Sequence, residues 1–172
     1  MRDEDFERLY AEHAEPLFRF LVYRTGDRSL SEDLMAEAFE RALRARRTFD
    51  PRKASSKTWL YTIALNCLRD HARRRDAEHR ALERASGAPE AAHHDPTVAL
   101  DEREQLMTAL RELAPEEREA VALRFGADLT VPEISKLLRV KLSTAEGRVY
   151  RALRKLREDL EEDRPHARKD AL

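Results

Sequence analysis

The stretch TVPEISKLLRVKLSTAEGRVYRALRKLREDL, Thr130 to Leu160, reads as two helices joined by a short turn. Thr130 is placed as an N-cap, Pro132 stands just inside, and Glu133 follows three residues on as the acid of a capping box. Ile134, Leu137 and Leu138 give a helical apolar stripe, and Arg139-Val140-Lys141-Leu142 makes the turn. Ser143-Thr144-Ala145-Glu146 has the pattern of a second capping box. Beyond it Ala145, Val149, Ala152, Leu153, Leu156 and Leu160 line one side of a helix, with Thr144, Arg148, Arg151 and Lys155 on the opposite side. Two helices, a tight turn and a basic second helix make a helix-turn-helix, whose second helix can lie in a DNA major groove. A helical hairpin packed inside a bundle has the same apolar pattern, so the rest of the chain must decide between the two.

Composition narrows the fold class. The 172 residues are 39% charged and only 6% aromatic, with 4 glycines. Strands need β-branched and aromatic runs bounded by glycine turns, and both are scarce, so the chain is expected to be all-α. The net charge of −1 hides a strong patterning. Residues 1–40 carry 5 basic and 11 acidic side chains, whereas residues 41–80 carry 12 and 4. Residues 81–105 are acidic again, with 2 and 6, and residues 106–158 are basic, with 11 and 8. Basic blocks separated by an acidic one suggest two nucleic-acid-facing surfaces joined by a repelling connector. Chance clustering in a charge-rich helical protein is the plainer alternative.

Reading along the chain, Phe6, Leu9, Tyr10, His13, Leu17, Phe20 and Leu21 recur at helical spacing over residues 3–24, with Pro16 expected to kink or split that helix. Gly26-Asp27-Arg28 is a turn, and Ser29 or Ser31 caps a second helix that ends near Arg47. Phe49-Asp50-Pro51 breaks the pattern, and a polar loop runs to Ser56. Residues 57–80 make a third helix with a buried stripe of Trp59, Leu60, Ile63, Ala64, Cys67 and Leu68. A second stripe on that helix is polar: Thr58, Thr62, Asn66, Arg69, Asp70 and Arg73, with Arg74 and Arg75 beyond. These side chains can contact bases and phosphates. Residues 81–95 have linker chemistry, Asp95-Pro96 starts a fourth helix, and Pro115 opens a fifth with Ala120, Val121, Leu123 and Phe125 apolar. The expected organisation is therefore a domain at 1–80, a flexible linker at 81–95, a helix-turn-helix domain at 96–160 and a charged tail at 161–172.

Other chemistries find little support. A single cysteine, Cys67, excludes an intramolecular disulfide. Cys67 and His71 lie four apart on a helix, and His93-His94 sits in the linker, but neither pair brings further ligands, so no metal and no cofactor are expected. No nucleophile–base arrangement and no phosphate-cradling glycine loop is present, and an enzyme is the weakest class. No apolar run approaches the ~20 residues needed to span a bilayer, and no apolar core follows Met1. A soluble, cytoplasmic protein without membrane insertion is expected.

Three segments, in order, resemble the extracytoplasmic-function (ECF) group of bacterial RNA polymerase sigma factors. Ser31-Glu32-Asp33-Leu34-Met35-Ala36-Glu37-Ala38-Phe39 is similar to that family's signature helix. Trp59-Leu60-Tyr61-Thr62-Ile63-Ala64-Leu65-Asn66, continuing through Asp70 to Arg75, resembles its Trp-Leu, Ile-Ala, Asn, Asp and Arg pattern. Leu113-Ala114-Pro115-Glu116-Glu117-Arg118, through Leu123-Arg124-Phe125 and Glu133-Ile134 to Arg148-Val149-Tyr150-Arg151-Ala152, resembles its C-terminal domain.

The resemblance implies a promoter-specificity subunit of core RNA polymerase. The N-terminal domain would dock on the β′ clamp through Asp33, Leu34, Met35, Glu37 and Phe39. It would hold the melted −10 element with Thr58, Thr62, Asn66, Arg69, Asp70, Arg73 and Arg74, and the Phe49–Ser56 loop offers a place for a flipped base. The C-terminal domain would read the −35 duplex with Ser143, Thr144, Glu146, Arg148, Arg151 and Lys155 and dock on the β flap. An anti-sigma factor is the implied regulatory partner. Two departures stand out: Ala36 replaces the family's usual Gln, and Ala145-Glu146-Gly147 replaces its usual Val, basic residue and Ser. Glu146 is expected to cap the second helix, with cytosine recognition as the alternative. A helix-turn-helix regulator that works without polymerase, and a sigma-like protein that sequesters a regulator, are the rival readings. Neither needs the polar stripe of the third helix.

Overall fold

The computed structural model describes residues 1–86 and 102–162. All regular structure among them is helical, as the composition predicts. An N-terminal unit holds α1 (Asp3–Thr25), α2 (Arg28–Ala45), a 3₁₀ turn (Arg46–Thr48) and α3 (Ser56–Ser86). A C-terminal unit holds α4 (Glu102–Glu112), α5 (Pro115–Val121), a π-helical turn (Ala122–Gly126), α6 (Val131–Leu138) and α7 (Leu142–Glu162).

The local signals account for most of these boundaries. α1 is one continuous helix with Pro16 inside it, so the expected split does not occur. The missing amide costs one ladder bond, but Leu17, Phe20 and Leu21 just beyond it are fully buried and hold the helix on course. α1 stops at Gly26, whose φ of 70° suits glycine and whose N–H donates to Val22 O. The cap of α2 is Asp27, not Ser29 or Ser31: its carboxylate accepts from Leu30 N at 3.0 Å. Ser31 is instead fully buried and donates to Asp27 O. α3 runs to Ser86, so 81–86 continue a helix where a linker was expected. The remaining linker residues, the Asp95-Pro96 start, His93-His94 and most of the tail lie outside the described residues.

The expected cap of α6 is present. Thr130 Oγ1 accepts from Glu133 N at 3.4 Å, and Glu133 Oε2 accepts from Thr130 N at 2.7 Å. Arg139 then turns the chain with φ 56°. The second cap differs from expectation. α7 already begins at Leu142, with Thr144 N and Ala145 N donating to Lys141 O. Ser143 is therefore inside the helix, and neither its side chain nor that of Glu146 makes a hydrogen bond among the described residues.

The two units are not independent bodies. One apolar core joins Leu17, Phe20 and Leu21 of α1, Leu34, Ala38 and Phe39 of α2 and Leu60, Tyr61 and Leu65 of α3. It continues without a break into Leu123, Ala127, Leu129, Ile134 and Ala145 of the C-terminal unit. A smaller core of Ala109, Leu110, Leu113, Val121, Ala152 and Leu156 ties α4 and α5 to α7. Arg118 closes the end of α4 by donating to Leu113 O and Arg111 O.

Candidate nucleic-acid interface

The polar stripe of α3 survives folding as an outward face. Thr62, Asn66, Arg69 and Arg73 are all exposed at steps of four, three and four, one helix face in succession. Thr58, half-buried at the helix start, shares a hydrogen bond with Ser55, whose Oγ also accepts Thr58 N at 3.1 Å and so caps α3. Thr62 Oγ1 donates to Thr58 O, and Arg69 reaches Asn66 Oδ1 at 3.4 Å. Trp59 packs against the core and against Phe49, ring centroids 5.1 Å apart, as its place on the apolar stripe predicts.

Asp70 is less a reader than an anchor. Arg41 of α2 donates to Asp70 of α3 at 2.8 Å, which ties the two helices together, and to Glu37 on its own helix at 2.5 Å, which holds the guanidinium in place. Arg73 and Arg74 lie at 4.0 Å from Asp70 and 3.7 Å from Glu37. The hydrogen bond from Arg41 holds the Asp70 carboxyl below its ordinary pKa, and the same two bonds push the Arg41 guanidinium up. The arginines of this face are thus partly neutralised from behind. Arg41 escapes a motif reading, although its i,i+4 spacing from Glu37 is a legible helix pair.

At the N-terminal end of α3 a cleft of about 750 Å³ opens between the first turns of α1 and the 49–56 loop. Phe49, Pro51, Ser55 and Ser56 form one wall; Arg2, Asp5, Arg8 and Glu12 form the other. Asp50 accepts from Arg52 N and Nε at 3.0 and 3.1 Å, which tightens the loop and lowers the Asp50 carboxyl pKa. The loop was expected from sequence. The α1 wall was not, because nothing local ties residues 2–12 to residues 49–56.

The polymerase-facing residues divide. Asp33 is exposed, Met35 and Glu37 are half-buried, but Leu34 is 2% and Phe39 7% exposed within the core. Leu34 and Phe39 therefore shape α2 from inside and present no docking surface. The exposed apolar atoms nearby belong to Tyr10, which packs on Phe39 at 4.7 Å, and to Leu43.

In the C-terminal unit Ser143, Thr144, Glu146 and Arg151 of α7 are exposed, and Arg148 and Lys155 are half-buried. Arg151 and Lys155 are not free. Arg151 Nε donates to Glu117 Oε1 at 3.2 Å and Lys155 Nζ to Glu117 Oε2 at 2.8 Å. Glu117 is 6% exposed, and the Lys155 hydrogen bond above all holds its carboxyl below the ordinary range. Glu117 shares its face of α5 with Ala120 and Val121, both buried, and that 117/120/121 spacing is the signal that places it inward. Thr144 and Arg148 make no side-chain hydrogen bond among the described residues. Among the described residues no group of three or more His, Cys, Asp or Glu is placed to hold a metal ion, and no helix is long and apolar enough to cross a membrane.

Comparison with known proteins places this geometry. The Sigma-70 region 2 family model matches residues 9–78, and the Sigma-70 region 4 model matches residues 103–156. The chain is 35% identical over 160 residues to the RNA polymerase sigma factor CarQ of Myxococcus xanthus, covering 91% of this chain and 90% of that one. It is 30% identical over 157 residues to the ECF RNA polymerase sigma factor SigL of Mycobacterium tuberculosis, covering 90% and 88%. Against BldN of Streptomyces coelicolor the identity is 32% over 164 residues, and the chain spans 61% of that longer protein. In fold it resembles the sigma factor RpoE of Bartonella quintana, solved with the anti-sigma factor NepR, at TM-score 0.74 and 24% identity over 94% of this chain and 99% of that one. With both family models matched in order and relatives alike over nearly their whole length, the chain belongs to the ECF RNA polymerase sigma factors.

Proposed function

We propose that this protein is an alternative initiation factor that binds core RNA polymerase and directs it to promoters with a −10 and a −35 element. The α3 face carries the reading: Thr62, Asn66, Arg69 and Arg73 stand exposed along one helix side, and a cleft of about 750 Å³ opens at the start of the same helix. A duplex-only regulator needs no such surface, whereas a melted strand needs cations for its phosphates and room for its bases. Asp33, Met35 and Glu37 face a basic surface on the polymerase clamp, and Asp70 positions Arg73. In the second unit Ser143, Thr144, Glu146 and Arg148 lie on the first turns of α7, where a recognition helix meets base edges, and Arg151 and Lys155 follow, reaching phosphates only as far as their pairing with Glu117 leaves charge to share. The functional division falls at residues 1–80 and 96–160, α3 extending past the first boundary. The solved complex of the similar fold with an anti-sigma factor supports control by such a partner, and a cytoplasmic location follows from the target.

The test is reconstitution with core polymerase on genomic DNA and mapping of transcript starts. Starts sharing a two-part upstream sequence support the reading. Duplex binding without core, and no new starts with it, would favour the polymerase-independent regulator.

A further inference from the structure

α1 meets the C-terminal unit in two ways. Along the helix the contact is close-packed: Gly126 lies on the Phe20 backbone, where a Cβ would meet Phe20 Cα at 2.6 Å. At the C-terminal end of α1 the contact is made by arginines. Arg24 stands in the last turn of α1, Arg111 in the last turn of α4 and Arg118 in the last turn of α5. Arg111 lies across Gly26, its Nη2 donating to Gly26 O at 2.7 Å. Arg118 Nη2 donates to Arg111 O and, at 3.1 Å, to Leu113 O. Three helices from the two units thus bring three guanidinium groups to one spot.

The charges there do not balance. None of the three arginines makes an ion pair among the described residues, and the Arg24 side chain makes no hydrogen bond. The Nε atoms of Arg24 and Arg118 are buried without a hydrogen-bond partner. Burial, and then the charges of Arg24 and Arg111, push the Arg118 guanidinium below its ordinary pKa, with Glu112 pulling the other way. A guanidinium keeps its proton at neutral pH, so only a counter-charge relieves this repulsion. The arginines are also well supplied with donors: each has five N–H bonds, and those not given to Gly26, Arg111 and Leu113 carbonyls remain for a ligand.

We propose that Arg24, Arg111 and Arg118 form a binding site for a small phosphate-bearing anion, seated where the end of α1 meets the ends of α4 and α5. The guanidinium fork matches phosphate oxygens two at a time, and three forks from three helices surround such a group. Arg111 is exposed and Arg24 and Arg118 are half-buried, so the cluster is open on one side and recessed on the other. That shape suits free phosphate or the terminal phosphate of a nucleotide better than the broad rod of a duplex. These residues belong neither to the α3 face nor to the first turns of α7, so the site stands whether or not the promoter assignment holds. A bound anion neutralises the repulsion and joins α1 to α4 and α5, which makes stability rise with phosphate concentration.

The experiment uses the full chain, with inorganic phosphate and a nucleoside triphosphate as probes against potassium chloride at matched ionic strength. Thermal melts and titration calorimetry are the readouts. Phosphate should bind saturably and raise Tm by roughly 5–10 °C at 100 times its Kd. A triphosphate at least about tenfold tighter assigns the site to a nucleotide, and equal affinities assign it to free phosphate; either upholds it. Arg24→Gln removes one charge without removing a hydrogen bond, so it should weaken phosphate binding at least about tenfold while its Tm in chloride is no lower than wild type. Arg24→Lys should recover part of the affinity, and Arg111→Gln gives a second, independent loss. Arg44→Gln, exposed on α2, should leave phosphate affinity unchanged. Absence of any saturable response beyond that of chloride overturns the proposal. So does the same phosphate affinity in Arg24→Gln, Arg111→Gln and wild type, which would place the anion on another basic surface.

Discussion

Glu117→Gln isolates the charge that joins α5 to α7. The glutamine keeps the shape and one acceptor oxygen but removes the negative charge beneath Arg151 and Lys155. Two charge-assisted bonds, at 3.2 and 2.8 Å, become neutral-acceptor bonds or are lost. Hydrogen bonds to charged groups contribute about 1.5–3 kcal/mol each, and neutral ones about half as much. The Arg151 and Lys155 side chains are 52% and 40% exposed, so water recovers part of the loss on their side. The net cost is then about 1–2 kcal/mol, or roughly 2–8 °C in Tm for a chain of this size. The pH dependence follows from the lowered Glu117 pKa. A carboxyl depressed in the folded state stabilises above its unfolded value, near 4.5, and that contribution is lost as pH falls through the folded value. Thermal melts of both proteins should therefore differ most near pH 7 and converge in acid. Equal Tm values at pH 7, or a gap that persists at the lowest pH where both fold, would refute the assignment of this pair as a stabilising contact. The released cations should also raise non-specific duplex affinity, with a salt slope steeper by about 0.9 for each phosphate gained.

Thr130→Ala removes the cap of α6 and should lower stability by about 1 kcal/mol, seen as a matching loss in denaturant midpoint without a change in m-value. Arg73→Ala with Arg74→Ala removes two exposed cations of the α3 face. Promoter opening, followed by permanganate reactivity of −10 thymines, should fall and lose about 0.7 of salt slope per contact, while unchanged reactivity at every salt concentration counts against the assigned strand path. Glu146→Gln should leave Tm unchanged, because its carboxylate caps nothing; a relaxed preference at one C·G pair of the −35 element would identify it as a base reader.

What the sequence determined by itself was everything set over a few residues. The 3.6-residue periodicities of Phe6–Leu21, Trp59–Leu68 and Ala145–Leu160 specify helices, because each apolar stripe can be buried only in that conformation. The Thr130–Glu133 box is equally local: both partners lie within one turn, so nothing distant has to agree. The ordered motifs around Asp33, Trp59 and Arg148 were enough to point to the family. Tertiary structure decided what depends on residues far apart. Ser143 and Glu146 have the letters of a cap, yet packing of α7 on α6 and α5 starts the helix at Leu142 and leaves that cap unmade. Leu34 and Phe39 belong to a docking motif by position but to the core by burial. Arg151 and Lys155 look like free cations on α7 until Glu117, more than thirty residues earlier, is brought beneath them. The cleft wall from Arg2 to Glu12 and the seating of Gly126 on Phe20 likewise have no sequence signature. A glycine announces freedom of approach but not the backbone it will approach, and only the folded chain supplies that partner.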